Sequence, residues 1–153
     1  MPTFDAKAYA TAQVENALKF YRADLEAIAE EDFCASPGGS ARAPIDFTYE
    51  VSFVNRRLAG RLRGDEMPAM HFEGWMMAPE DHRSKAASIA DFESSMNEVL
   101  AALGDDVHRP IVTPDRTTTA MEMALFCALH VMYHDAQLNY FQALKGDDKM
   151  HWD

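Results

Sequence analysis

The chain has 153 residues, 48% hydrophobic and 10% aromatic, enough to fill one core and to exclude a disordered chain; it is read as a single domain over residues 1–153. Lys plus Arg number 14 against 25 Asp plus Glu, a formal net charge of −11. That balance excludes a general nucleic-acid binder, which gains affinity by releasing counterions from phosphates, and a protein docked on an anionic membrane.

In the first segment Val14, Leu18, Tyr21, Leu25 and Ile28 recur at spacings of four and three. That spacing predicts one helix from about Asp5 to about Phe33, stopped by Ser36-Pro37-Gly38-Gly39-Ser40. Phe47, Val51, Val54, Leu58 and Leu62 predict a second helix, with Pro44 in its first turn and Gly64 at its end. Arg56, Arg57, Arg61 and Arg63 crowd its last turns, which reads as charge well placed at a helix C-terminus. Gly64 to about Asp81 has no period and predicts a long loop. Its apolar residues, Phe72, Trp75, Met76 and Met77, together with His71, are expected to fold back, capping the core or roofing a pocket.

A third helix is predicted by Ile89, Phe92, Met96, Val99 and Leu103, closed by Gly104. Pro110 to Asp115 reads as an extended connection, with no strand of consequence in the chain. Thr119 and Glu122 have the spacing of a capping box at the start of a last helix, which runs to about Leu144 with Gly146 just beyond. Met123 to Leu129 is apolar almost all round, so this helix is expected to be buried between the others. The fold class expected is all-α, a four-helix bundle with a long loop between its second and third helices.

The stripe of the last helix that should face the core is Met123, Cys127, His130, His134, Gln137, Phe141 and Leu144. His130 and His134 are one turn apart on it, close enough to hold one metal ion. The alternative is two core histidines satisfied by a network with Gln137 or Tyr140. A third ligand is available on the second helix. Glu50 lies between the core positions Phe47 and Val54, where an unpaired carboxylate is costly and a cation would neutralise it. Two His and one carboxylate suit Zn²⁺ or Fe(II); the alternative for Glu50 is a salt bridge to an Arg. Tyr49 and Asn55 flank it as candidate supporting residues, and His71 and Trp75 are candidates to line a pocket.

Other chemistries lack their residues. There is no HExxH, no pair of ExxH motifs, no Walker or GxGxxG loop and no GxSxG elbow. Cys34 and Cys127 have no CxxC spacing and read as free thiols of a cytoplasmic protein. The start, MPTFDAKAYA, has no apolar stretch of the signal-peptide kind. The longest apolar run, Met123 to Leu129, is far short of the roughly 20 residues that span a bilayer.

The stretch His130-Val-Met-Tyr-His134-Asp-Ala-Gln-Leu-Asn-Tyr140, followed by Leu144 and Gly146, resembles the last-helix signature of the DinB-like (DinB/YfiT) superfamily. The Trp75 to Pro79 loop and the closing Lys149-Met150-His151-Trp152 resemble its bacterial members. The resemblance implies an up-up-down-down four-helix bundle, usually a homodimer. It implies a divalent metal (Ni, Zn, Fe or Mn) between the second and last helices, held by three residues, typically all His. His130 and His134 carry over directly, and Glu50 takes the place of the third His. It further implies, for some members, a transferase that activates a low-molecular-weight thiol as its thiolate. The function expected is therefore a metal-dependent thiol S-transferase acting on a small molecule. The alternatives are a metal-dependent hydrolase and a non-catalytic, metal-stabilised, stress-related dimer.

Overall fold

A computed structural model describes residues 3–71, 73–114 and 116–152. Helix α1 spans Ala6–Ala27, and the Asp5 side chain accepts from the Ala8 amide at its start. Ile28 and Ala29 are extended, and a separate turn, α2, covers Glu30–Phe33. The single helix expected over 5–33 is thus two pieces. Five residues turn an unbroken helix by about 140°, so it would aim Ile28 and Phe33 at different sides. The break lets both enter the core, where both are buried.

Helix α3 runs Pro44–Arg63, with Pro44 in its first turn. Gly64 ends it at φ +87°, a conformation that favours glycine. Helix α4 spans Lys85–Leu103 and buries Phe92, Met96, Val99 and Leu103. Helix α5 spans Ala120–Leu144 and begins with the expected capping box: Thr119 accepts from the Glu122 amide, and Glu122 accepts from the Thr119 amide. Gly146, at φ +87°, follows its C-terminus.

The core is contributed by α1, α3, α4 and α5. Helix α1 packs chiefly on α5 and α3 on α4, with α3–α5 and α1–α4 contacts completing the bundle. Buried Leu and Phe side chains such as Leu25, Phe92 and Leu138 each contribute on the order of 2 kcal/mol. Among the described residues no helix is long and apolar enough to cross a membrane.

Three expectations need correction. The connection after α4 is a short hairpin: β1, Pro110–Val112, pairs antiparallel with β2, Thr117–Thr119, with Pro110 opposite Thr119. The pairing ends on the residue that caps α5, so it fixes where that helix starts; Asp115 lies outside the described residues. The apolar turn Met123 to Leu129 is not buried all round, for Phe126 and Leu129 are 42% and 67% exposed. The loop after α3 buries only Ala78 fully and leaves Met70, Trp75 and Met77 exposed, while Phe72 lies outside the described residues. It is tied down instead by polar contacts. Asp46 on α3 accepts from the Ala78 amide at 3.0 Å and from Arg83 at 3.4 Å.

Candidate metal centre

Helices α3 and α5 bring three ligand atoms together. His130 Nε2 and His134 Nε2 are 3.3 Å apart, and Glu50 Oε1 lies 3.8 Å from the first and 3.7 Å from the second. The i, i+4 spacing on α5 sets the imidazole pair, and α3 supplies the carboxylate across the helix–helix contact. His134 is buried; His130 and Glu50 are partly so.

The groups around the triad fix its orientation. His134 Nδ1 donates to Gln137 Oε1 at 2.8 Å, which fixes the ring so that Nε2 is the atom turned toward His130 and Glu50. The His134 ring stacks on Phe47 at 5.8 Å and meets the edge of Tyr133 at 5.0 Å. Phe126 stacks on His130. Glu50 Oε2 accepts from Arg42, whose side chain is only 7% exposed, and Arg42 also donates to the Met76 carbonyl at 3.1 Å. Thus the two readings of Glu50 hold together. One oxygen makes the salt bridge, and the other faces the imidazoles. His130 and His134, with Arg42 adding to them against the opposing effect of burial, hold the Glu50 carboxyl well below the usual carboxylate range.

The three atoms fit a divalent cation. A triangle with sides of 3.3, 3.7 and 3.8 Å has a circumradius of about 2.1 Å, which is the Zn–N and Zn–O bond length. Without a cation, one carboxylate oxygen and two inward-facing ring nitrogens share a small space, and His130 Nδ1 is buried with no hydrogen-bond partner to compensate. Glu50, His130 and His134 can therefore hold a metal ion.

Beside the triad is a chamber of about 600 Å³. No ligand atom of the triad lines it, but Arg42, Phe47, Tyr133 and Gln137 do, and each touches one of the three ligands. Trp75 reaches it from the loop after α3 and lies 4.8 Å from the Arg42 guanidinium carbon.

The other expected site residues sit elsewhere. Asn55 is buried in a separate polar group, donating to Ser95 Oγ and Met96 Sδ and accepting from Cys127, because it faces α4 rather than the triad. Tyr49 packs against His82 on the α4 side and lines clefts away from the chamber. His71 is exposed on the loop. Two residues were not anticipated. Arg42 precedes α3 and carries no period to reveal it; its signal is only that an Arg stands eight residues before an inward Glu. Tyr133 neighbours His134 in sequence but lies off the buried stripe, with an exposed edge.

The sequence model of the DinB superfamily matches residues 13–138. No curated protein matches the chain. The solved structures that match include one described as a proposed member of the DinB family, from Exiguobacterium sibiricum. It is 20% identical, with 97% of each chain covered and a TM-score of 0.61, and at that identity it speaks for the fold alone. The matched segment runs from within α1 to within α5 and includes Glu50, His130 and His134; the chain belongs to the DinB superfamily.

Proposed function

We propose that the chain is a divalent-metal-dependent S-transferase of a reducing cytoplasm. Glu50, His130 and His134 hold the cation, and the chamber beside them takes a low-molecular-weight thiol and an electrophile. The observation that carries this reading is the convergence of three ligand atoms around a point about 2.1 Å from each, next to a 600 Å³ chamber. A cation held by only three protein ligands keeps open positions, and a thiol coordinated there loses its proton.

The chain's own residues support that chemistry. Gln137 holds the proton of His134 on Nδ1, so that Nε2 stays a ligand. Arg42 orients Glu50 and adds to the larger effect of the two imidazoles in keeping it ionised. Phe47 and Tyr133 wall the His134 ring against water. The chain supplies no sulfur to the site: burial pushes the Cys127 thiol up to about 12, which makes it inert at neutral pH, and the exposed Cys34 is not among the residues that line the chamber. In the transfer the thiol proton passes to solvent. The sulfur then bonds to an electrophilic carbon, and the displaced group leaves with its electron pair. We also propose a homodimer, as the family resemblance implies, through the exposed Phe126 and Leu129 of α5.

Elemental analysis of protein grown with Ni, Zn, Fe and Mn supplements, followed by a screen of thiols against electrophiles, tests the proposal. It expects close to one metal per chain and transfer that chelation abolishes. Protein that stays metal-free overturns it. Metal-loaded protein inactive throughout the screen points to a cation that only ties α3 to α5.

A further inference from the structure

The chamber beside the metal centre is apolar on most of its surface. Phe47, Trp75, Tyr133, Tyr140, Phe141 and Leu144 form its walls. In a chain with 25 acidic residues, none of the described carboxylates lines it. Its charged group is Arg42.

Arg42 is only partly used by the protein. Nη1 donates to Glu50 and to the Met76 carbonyl. Nε and Nη2 make no hydrogen bond to any described residue, and Arg42 lines the chamber. Trp75 packs against the guanidinium and steadies it without using a donor. Gln137 adds to this. Its carbonyl oxygen is taken by His134, and its amide nitrogen has no partner among the described residues.

A greasy chamber that presents an Arg edge and an amide N–H, with Ser40, Tyr133 and Tyr140 as further polar residues in its lining, suits an acceptor on an apolar body. The Nε–Nη2 edge has the fork geometry that a planar carboxylate meets with two parallel bonds. A phosphate dianion fits less well, because one guanidinium already shared with Glu50 is the single cation available among the described lining residues. We infer that the chamber selects an aryl or alkyl carboxylate, with Arg42 as the group that reads the carboxylate. This inference rests on the chamber being the substrate site of the proposed transferase, whose electrophile is then a small apolar acid. Because Arg42 also holds Glu50, the bound carboxylate lies beside the metal centre.

Calorimetric titration with 3-phenylpropionate, its carboxamide and phenylphosphonate tests this, on protein assayed for metal and on protein stripped by chelation. The carboxylate is expected to bind at least about 10-fold tighter than the amide in both forms, the range of a charge-assisted pair. It is also expected to bind tighter than the phosphonate. Arg42→Gln is expected to remove the carboxylate preference, and Arg42→Lys to restore part of it, since the charge remains and the fork is lost. Equal binding of acid and amide to the unmodified protein overturns the inference, as does no binding of any of the three or a phosphonate preference. A carboxylate preference that survives Arg42→Gln in a variant with unchanged circular dichroism overturns it too. Selectivity in protein that never takes up metal would sink the transferase reading alone; bound metal without selectivity would sink this inference alone.

Discussion

Helix α5 places neighbouring residues in two opposite electrostatic settings. His134 turns toward α3, where it meets Glu50, His130 and, through Glu50, Arg42. Asp135, the next residue, is fully buried and interacts with Asp24 of α1, where no cation answers it. Both of its carboxyl oxygens are buried without a hydrogen-bond partner. Burial first, and then the Asp24 charge and carboxyl contact, push Asp135 up to about 8, while Glu50 is driven the other way. The same functional group therefore stays ionised on one side of α5 and protonated on the other. Burial raises Asp135 and the like-charged partner adds to it, whereas at Glu50 the imidazoles and Arg42 outweigh burial. A proton held by Asp135 neutralises one buried pair; the other has the ligand atoms to hold a metal ion.

The largest effect expected from this contrast is on the pH dependence of stability. Between about pH 4 and pH 8, unfolded Asp135 is ionised and native Asp135 holds its proton. The native state thus binds one more proton, and stability falls as pH rises, by up to about 1.4 kcal/mol per unit. The contribution is complete below the ordinary Asp range and lost by the time pH passes about 8, with about 6 kcal/mol as its upper bound. Asp135→Asn keeps the shape and cannot ionise. Urea unfolding at pH 5, 6, 7 and 8 is expected to show the variant gaining on the parent at each step. Parallel curves would mean that Asp135 is already ionised at neutral pH.

Next in size is the other side of α5. His134→Ala removes a ligand from the triad and is expected to weaken metal binding by more than about 100-fold, beyond the range seen when only a supporting residue is lost. Competition with a chelator of known affinity measures it, and a variant that retains metal stoichiometrically would break the contrast. Gln137→Ala leaves all three ligands in place but frees the His134 Nδ1 proton from its acceptor. A loss of roughly 10-fold is expected from that change. Equal losses in the two variants would mean that Gln137 is itself a ligand.

How far the sequence discloses these two settings follows from periodicity. A helix stripe with a period of three and four shows which residues turn inward, so the bundle, the capping box at Thr119 and the pairing of His130 with His134 are all readable. Glu50 is readable because it is a charged residue between two apolar positions of such a stripe. Arg42 is not, because it belongs to the irregular chain before α3, and only the fold brings it to Glu50. Asp24 and Asp135 are hidden for another reason. Each reads as an ordinary solvated face of its helix, and their burial depends on how α1 and α5 meet and on the closing residues that cover them. The break at Ile28 is likewise invisible locally, since it is imposed by core positions for Ile28 and Phe33.

The closing residues give an effect close in size to that of Gln137→Ala, and the sharpest test of the acidic side. Trp152 stacks on Phe20 at 4.8 Å and donates from Nε1 to Asp24 Oδ2 at 2.7 Å; Asn139 donates to the same oxygen at 2.9 Å. These two bonds go to the Asp24 carboxyl, while the oxygens of the Asp135 carboxyl have no hydrogen-bond partner among the described residues. Trp152→Phe preserves the stack and removes one donor. Stability at pH 7 is expected to fall by about 1.5 kcal/mol, the low end for a bond to a charged group. Urea unfolding at pH 7 measures the loss, with Trp152→Ala as the variant that removes the stack on Phe20 as well as the donor. If Trp152→Phe is as stable as the parent and only Trp152→Ala loses stability, the tail holds this side of the bundle by covering it and the bond to Asp24 adds nothing.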